Sequence, residues 1–185
     1  KMSSITDYTD RSTCILFGVS AGAILLQAND QGFGLQDSWM RVDGVGAEFL
    51  HMKGGGSKNP PTHETVDKKW HYLFQDGKPV FKAAVKGMAE AVNEILKRNN
   101  LSPDDIRFVV PHQANLRIIQ AVADYLKFPM DRVMVNIQKY GNTTSATIPL
   151  CLWEWEDQLK PGDKVILTSF GGGYTWGASL WTWAY

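Results

Sequence analysis

The sequence has little cysteine, no net charge and no long apolar run. Its 185 residues include only Cys14 and Cys151, whose spacing suggests neither a disulfide framework nor a zinc site. Such sparing use points to a reducing compartment, so a cytoplasmic location is expected. The 19 Lys+Arg balance 19 Asp+Glu. A neutral chain is a poor general nucleic-acid binder or membrane-surface protein, and any charged partner must meet a local patch. No apolar run nears the ~18 residues of a transmembrane helix. His51, His63 and His71 lack metal-ligand spacing, so no metal site is expected. No Gly-Lys-Ser/Thr closes a glycine motif of the phosphate-loop type. The opening Lys1-Met2-Ser3-Ser4 carries no signal-peptide pattern, and a strand-like run follows at once, as in a chain that begins within a longer unit.

What is present is ordinary globular material: 44% hydrophobic and 21% charged residues, in a length that buries roughly 70% of its unfolded surface. Thr13–Gly18 and Ala21–Gln27 read as two buried strands, and Leu35–Val42 as a possible third. Residues 44–62 turn to Gly, Pro, Lys and Asn and read as a long loop. Pro79–Arg98 is the clearest helix, with Phe81, Ala84, Val85, Met88, Ala91, Val92, Ile95 and Leu96 on one stripe. After a turn at 102–105, Ile106–Val110 reads as a strand. Asn115–Lys127 reads as a second amphipathic helix, with Ile118, Ile119, Val122, Tyr125 and Leu126 inward. Val133–Ile137 is a weak strand, and Ser145–Leu159 a third helix with Pro149 near its first turn. Lys164–Ser169 and Tyr174–Trp183 close the chain as strands around Gly171-Gly172-Gly173. The alternation implies a layered α/β fold. One echo stands out: Leu16-Phe17-Gly18 with Ala21-Gly22-Ala23-Ile24-Leu25 is similar to Ser169-Phe170-Gly171 with Trp176-Gly177-Ala178-Ser179-Leu180.

Three strand-end loops carry uncharged donors. His112 lies where a strand feeds a helix, a usual ligand position in α/β proteins. Asn142 lies in Tyr140-Gly141-Asn142-Thr143-Thr144-Ser145, and Gly171-Gly172-Gly173 lets backbone N–H groups approach a ligand. On spacing alone each has a plainer reading: a bonded turn residue, an N-cap cluster and a tight hairpin. None of the three loops offers a nucleophile. Cys14 and Cys151 sit in apolar runs, where cysteine usually behaves as a small hydrophobe. Trp153, Trp155, Trp176, Trp181 and Trp183 cluster near the end, which suits a core or an oligomer interface.

Pro111-His112-Gln113-Ala114-Asn115, Tyr140-Gly141-Asn142-Thr143-Thr144 and Phe170-Gly171-Gly172-Gly173-Tyr174-Thr175-Trp176-Gly177, in this order and spacing, strongly resemble the β-ketoacyl-acyl carrier protein synthase III family. The resemblance extends to Thr9-Asp10-Arg11 and Val80-Phe81-Lys82. It implies a thiolase-like α/β fold, two similar halves in an αβαβα arrangement, and a homodimer. Residues 1–43 would then hold the closing strand pair of the N-terminal half, and 44–185 the C-terminal half. The implied reaction joins an acyl-CoA to malonyl-acyl carrier protein with loss of CO2. His112 and Asn142 match the family's two catalytic donors, which stabilise the enolate left by decarboxylation; His112 would act as a neutral donor rather than a base. Losing one such donor costs roughly 3–4 kcal/mol of transition-state stabilisation. Gly172 matches the glycine whose N–H holds the acyl oxyanion. Gly77, Phe81, Ala114 and Asn115 match the pantetheine tunnel, Arg11 the CoA nucleotide contact, and Arg117 the carrier-protein docking arginine. No cofactor is implied beyond these substrates, and neither a membrane nor a nucleic acid as partner. The nucleophilic cysteine is implied upstream of Lys1, in the N-terminal half, so the 185 residues alone are not expected to complete acyl transfer. Two departures stand: Lys78 where the family often has Asn, and Val19-Ser20 where it usually has Asp-Gly. Two other readings are a priming ketosynthase of polyketide synthesis and a non-catalytic carrier-protein-binding domain.

Overall fold

The longest apolar stripe in the sequence becomes the longest helix, and the sheet assembles against it. A computed structural model describes residues 1–185. In chain order the elements are β1 (Gly34–Val42), β2 (Leu50–Met52), α1 (His63–Asp67), β3 (Leu73–Gln75), α2 (Gly77–Arg98), β4 (Phe108–Pro111), α3 (Leu116–Leu126), α4 (Ile137–Tyr140), α5 (Thr147–Glu154), β5 (Lys164–Gly171) and β6 (Thr175–Thr182). Asp76 caps α2 by accepting from the Lys78 N–H, and Lys97 and Arg98 meet the negative end of its dipole. Its inward face buries Val80, Ala84, Met88, Ala91, Val92 and Ile95. Phe81 and Val85, expected on that stripe, are only half-buried.

The main sheet runs β1-β6-β5-β4, with β4 and β5 parallel and the other pairs antiparallel. Side chains of successive residues leave opposite faces of a strand. On β4, Val109 therefore joins the core with α2 and α3, while Phe108 and Val110 join a second core with Cys151 of α5. The sheet is covered on both faces there, which is why β4 reads as continuous apolar sequence. β2 and β3 form a separate two-stranded sheet at the edge of the cleft described below.

Several expectations are corrected. Thr13–Gly18 and Ala21–Gln27 are not strands. Phe17 makes one bridge, to Asn142, and no residue of the chain pairs with 21–27. A strand exists only where a partner accepts its hydrogen bonds. Leu35–Val42, by contrast, does form a strand, β1, because β6 pairs with it. The loop 44–62 contains a 3₁₀ turn at Gly44–Glu48 and all of β2. Val133–Ile137 reduces to a single bridge between Val109 and Val133. The third helix is shorter than expected, with 3₁₀ turns at Thr144–Ala146 and Glu156–Gln158 on either side, though Pro149 does fall in its first turn. Tyr125 faces solvent at 62% exposure. Of the tryptophans, Trp155 packs edge-on against Phe108 and Trp176 lies over Gly87, whereas Trp153 is exposed.

Candidate active site

Three chain turns meet at one cleft. The His112 N–H donates to the Thr168 carbonyl at 2.8 Å, which carries the β4–β5 ladder one residue past β4. Gly172 sits in the turn joining β5 to β6, and Asn142 lies between α4 and α5. All three line a cleft of about 860 Å³. Gly77 and Phe81 of α2, with Ala114 and Asn115 ahead of α3, line the same space. Arg11 and Arg117 do not; both are exposed and neither makes an ion pair. The lining contains no Asp, Glu, Lys, Arg or Cys. Its polar groups are hydroxyls, amides, backbone groups and two imidazoles, set in a largely apolar wall.

His112 is held in its uncharged form. Burial pushes its pKa down to about 4, because the imidazolium would lose its hydration. Its Nδ1 lies 2.7 Å from the Thr147 hydroxyl. Asn142 is equally fixed. Its Oδ1 accepts from the Thr144 N–H at 2.9 Å, which leaves the side-chain NH₂ as the group it can present to the cleft. Its backbone is clamped by segment 16–18: Asn142 N–H donates to Leu16 O, and Gly18 N–H to Asn142 O, both at 2.9 Å. Gly141 precedes it with φ of 67°, a left-handed conformation that favours glycine. Thus the N-terminal segment supports the site although it forms no strand.

Gln113 carries no signal of its own in the sequence, yet it ties the His112 turn to the segment leading into α4. Fully buried, it donates to Pro111 O at 2.7 Å and Met134 O at 3.1 Å, and accepts from the Asn136 and Ile137 N–H groups at 3.0 and 3.2 Å. Thr147 likewise carries no distinguishing signal in the sequence. A lone Thr in the first turn of a helix is common, and its partner lies 35 residues away. The departure at Val19 leaves that side chain exposed rather than in a buried bond.

Neither cysteine lines the cleft. Cys151 is fully buried, and burial pushes its thiol pKa up to about 12, so it is not a ready nucleophile. No group of three or more His, Cys, Asp or Glu side chains is placed to hold a metal ion. No helix is long and apolar enough to cross a membrane.

Known proteins are similar to this chain along its whole length. The family described as 3-oxoacyl-[acyl-carrier-protein (ACP)] synthase III C terminal matches residues 96–183. The family described as 3-oxoacyl-[acyl-carrier-protein (ACP)] synthase III matches residues 1–44. A beta-ketoacyl-[acyl-carrier-protein] synthase III of Porphyromonas gingivalis is 58% identical over all 185 residues, and the chain spans 55% of that relative's length. Among solved structures, a 3-oxoacyl-[acyl-carrier-protein] synthase III from Aquifex aeolicus superposes with a TM-score of 0.87 and 38% identity, over 99% of this chain and 55% of the other. A priming beta-ketosynthase of the R1128 polyketide pathway superposes with a TM-score of 0.81 and 27% identity, over 99% and 55%. The mixed α/β architecture is the thiolase-like one expected.

Proposed function

The chain belongs to the 3-oxoacyl-[acyl-carrier-protein] synthase III family, and on that premise we propose that it supplies the decarboxylation and oxyanion site of an initiating condensing enzyme. The reaction is acyl-CoA plus malonyl-acyl carrier protein giving 3-oxoacyl-acyl carrier protein, CoA and CO2. The observation that carries this reading is the presence of two neutral donors, His112 and Asn142, in one cleft that no Asp, Glu, Lys or Arg side chain lines.

The chemistry needs that combination. Breaking the C–CO2 bond of the malonyl thioester leaves an electron pair that delocalises onto the thioester oxygen. N–H donors held in place stabilise the developing negative charge without reorganising. A cationic acid at the same place would risk protonating the carbanion before it reacts. The carbanion then attacks the acyl-cysteine carbonyl, the Gly172 N–H stabilises the resulting oxyanion, and the cysteine thiolate departs. On this reading the acylated cysteine belongs to the N-terminal half of the same enzyme, residues 1–43 close that half, and 44–185 form the C-terminal half. The sharing of β1 with the β6 sheet then joins the two. Gly77, Phe81, Ala114 and Asn115 take the pantetheine arm, Arg11 the CoA nucleotide, and exposed Arg117 the acidic carrier protein. The donors are side-chain and backbone N–H groups, so no metal or organic cofactor enters, and the enzyme works as a homodimer in the cytoplasm.

In the intact enzyme, His112→Ala and Asn142→Ala are each expected to cut malonyl-thioester decarboxylation by roughly 100- to 1,000-fold. Near-normal decarboxylation by either variant would refute the donor roles. Arg117→Glu should weaken carrier-protein binding and leave acyl-CoA loading intact; equal loss of both removes the docking role. A second reading, a priming ketosynthase of polyketide synthesis, draws on the 0.81 superposition. A panel of acyl-CoA primers separates the two, since the fatty-acid reading requires turnover with short primers to products that elongate as fatty acids. The intact His112, Asn142 and Gly172 set speaks against a non-catalytic binding domain.

A further inference from the structure

The hydroxyl that meets the His112 ring has two neighbours and one hydrogen. Thr147 Oγ1 lies 2.7 Å from His112 Nδ1 and 2.8 Å from the Thr144 carbonyl oxygen. A threonine hydroxyl donates once. If it donates to Thr144, then Nδ1 must carry the ring proton and Nε2 is a bare lone pair. If it donates to Nδ1, the ring proton sits on Nε2. Burial keeps the ring neutral, so it has a single N–H and the two arrangements exclude each other.

Hydrogen-bond accounting favours the second arrangement. The Thr144 carbonyl already accepts from the backbone N–H of Thr147, so it is not orphaned when the hydroxyl turns away. The ring makes no other side-chain hydrogen bond than the one at Nδ1. Thr147 is 1% exposed and is the first residue of α5, with Pro149 two positions on, so its backbone is fixed and water does not compete for its hydroxyl.

We propose that Thr147 is a positioning residue that sets the tautomer of His112: its hydroxyl donates to Nδ1, so the ring presents Nε2–H to the thioester oxygen. This deepens the donor role proposed above and rests on that reading. It also makes the sign of the ring's interaction depend on a buried hydroxyl whose only other hydrogen-bond partner is the Thr144 carbonyl.

The two hydroxyl orientations predict opposite results for Thr147→Val, which keeps the shape and removes the hydrogen. If the hydroxyl donates to Nδ1, the variant releases the tautomer, and kcat for malonyl-thioester decarboxylation falls roughly 10- to 100-fold, less than for loss of the donor itself, with KM nearly unchanged. If the hydroxyl only accepts, the variant strands a buried Nδ1–H, the ring moves its proton to Nε2, and the rate holds or rises. Thr147→Ser keeps a donor and should recover most of the rate.

A measurement on the unmodified enzyme does not depend on any variant folding. In the intact, ¹⁵N-histidine-labelled enzyme, with His112→Gln assigning the signals, proton–nitrogen correlation spectra are expected to show His112 protonated at Nε2 and bare at Nδ1. A ring protonated at Nδ1 overturns the proposal, as does a wild-type kcat in Thr147→Val. An Nε2–H ring in an enzyme that leaves malonyl thioester intact upholds the role of Thr147 on the ring and overturns the proposed function instead.

Discussion

Two stretches of similar sequence meet different fates in this molecule. Ser169-Phe170-Gly171 and Trp176–Leu180 lie in the β5–β6 hairpin, where every residue of β6 from Thr175 to Leu180 has neighbours on both sides: Ala178 faces Thr168 and Trp39, and Leu180 faces Ile166 and Asp37. Leu16-Phe17-Gly18 and Ala21–Leu25 have the same alternation of small and apolar residues, but beyond the bridge at Phe17 they pair with nothing. Leu180 is 2% exposed and its counterpart Leu25 is 94% exposed. The lesson is that apolar, Gly-punctuated sequence makes a segment eligible to be a strand; the ladder makes it one. On the proposed assignment, the missing ladder for residues 21–25 belongs to the other half of the enzyme.

The largest effect should come from truncating the two leucines in turn. Leu180→Ala removes buried methyl groups from a closed core and is expected to cost about 2–5 kcal/mol. Leu25→Ala in the same 185 residues should cost less than about 0.5 kcal/mol. Urea unfolding of both variants measures the gap, and equal losses would mean that the N-terminal segment is packed after all. In the intact enzyme the gap should narrow, because there Leu25 gains its partners.

A smaller difference is expected at the paired glycines. A Cβ at Gly177 would stand 2.7 Å from the Trp39 carbonyl oxygen, which the β1–β6 ladder holds in place. Gly177→Ala should therefore cost about 1–3 kcal/mol. Gly22→Ala also meets a neighbour, Pro149, but Gly22 is exposed and lies in an irregular segment that can move aside. Its cost should stay under about 0.5 kcal/mol. A larger loss at Gly22 than at Gly177 would reverse the comparison.

The contrast also explains how much could be read from the sequence. Long patterns were legible: the stripe of α2, the inward face of α3 and the two apolar runs that became β5 and β6. Short elements were not, since α1 has five residues and β2 and β3 three each, too few for a period to show. The runs at 13–18 and 21–27 read as strands yet are not, because an apolar pattern reports which side chains seek burial, not whether a partner strand is at hand. At the site, His112, Asn142 and Gly172 stood out through their motifs. Gln113 lay inside one of those motifs, yet its network through Met134, Asn136 and Ile137 is set by the fold. Thr147 and its bond to His112 belong to tertiary geometry, because nothing in one helix turn names a histidine 35 residues earlier.

The smallest effect is expected where the packed region opens to the cleft. The His112 pKa falls from 6.5 to about 4 because its surroundings disfavour the imidazolium. Between those values the unfolded chain binds a proton at this position and the folded chain does not. The stabilising contribution is therefore complete above pH 6.5 and is lost as pH falls toward 4. With water reaching the open side of the cleft, the loss should be about 1–2 kcal/mol, on the scale of ~1.4 kcal/mol per pKa unit. His112→Gln removes the titration and keeps a neutral polar side chain. Unfolding free energies at pH 7 and pH 4.5 should then drop further for the wild type than for the variant, while carboxylates common to both cancel in the difference. Parallel losses in the two proteins would place His112 in water rather than in the packed region. In that case its neutrality at neutral pH would owe nothing to the fold, and the Nδ1 contact with Thr147 would lose its protection from solvent.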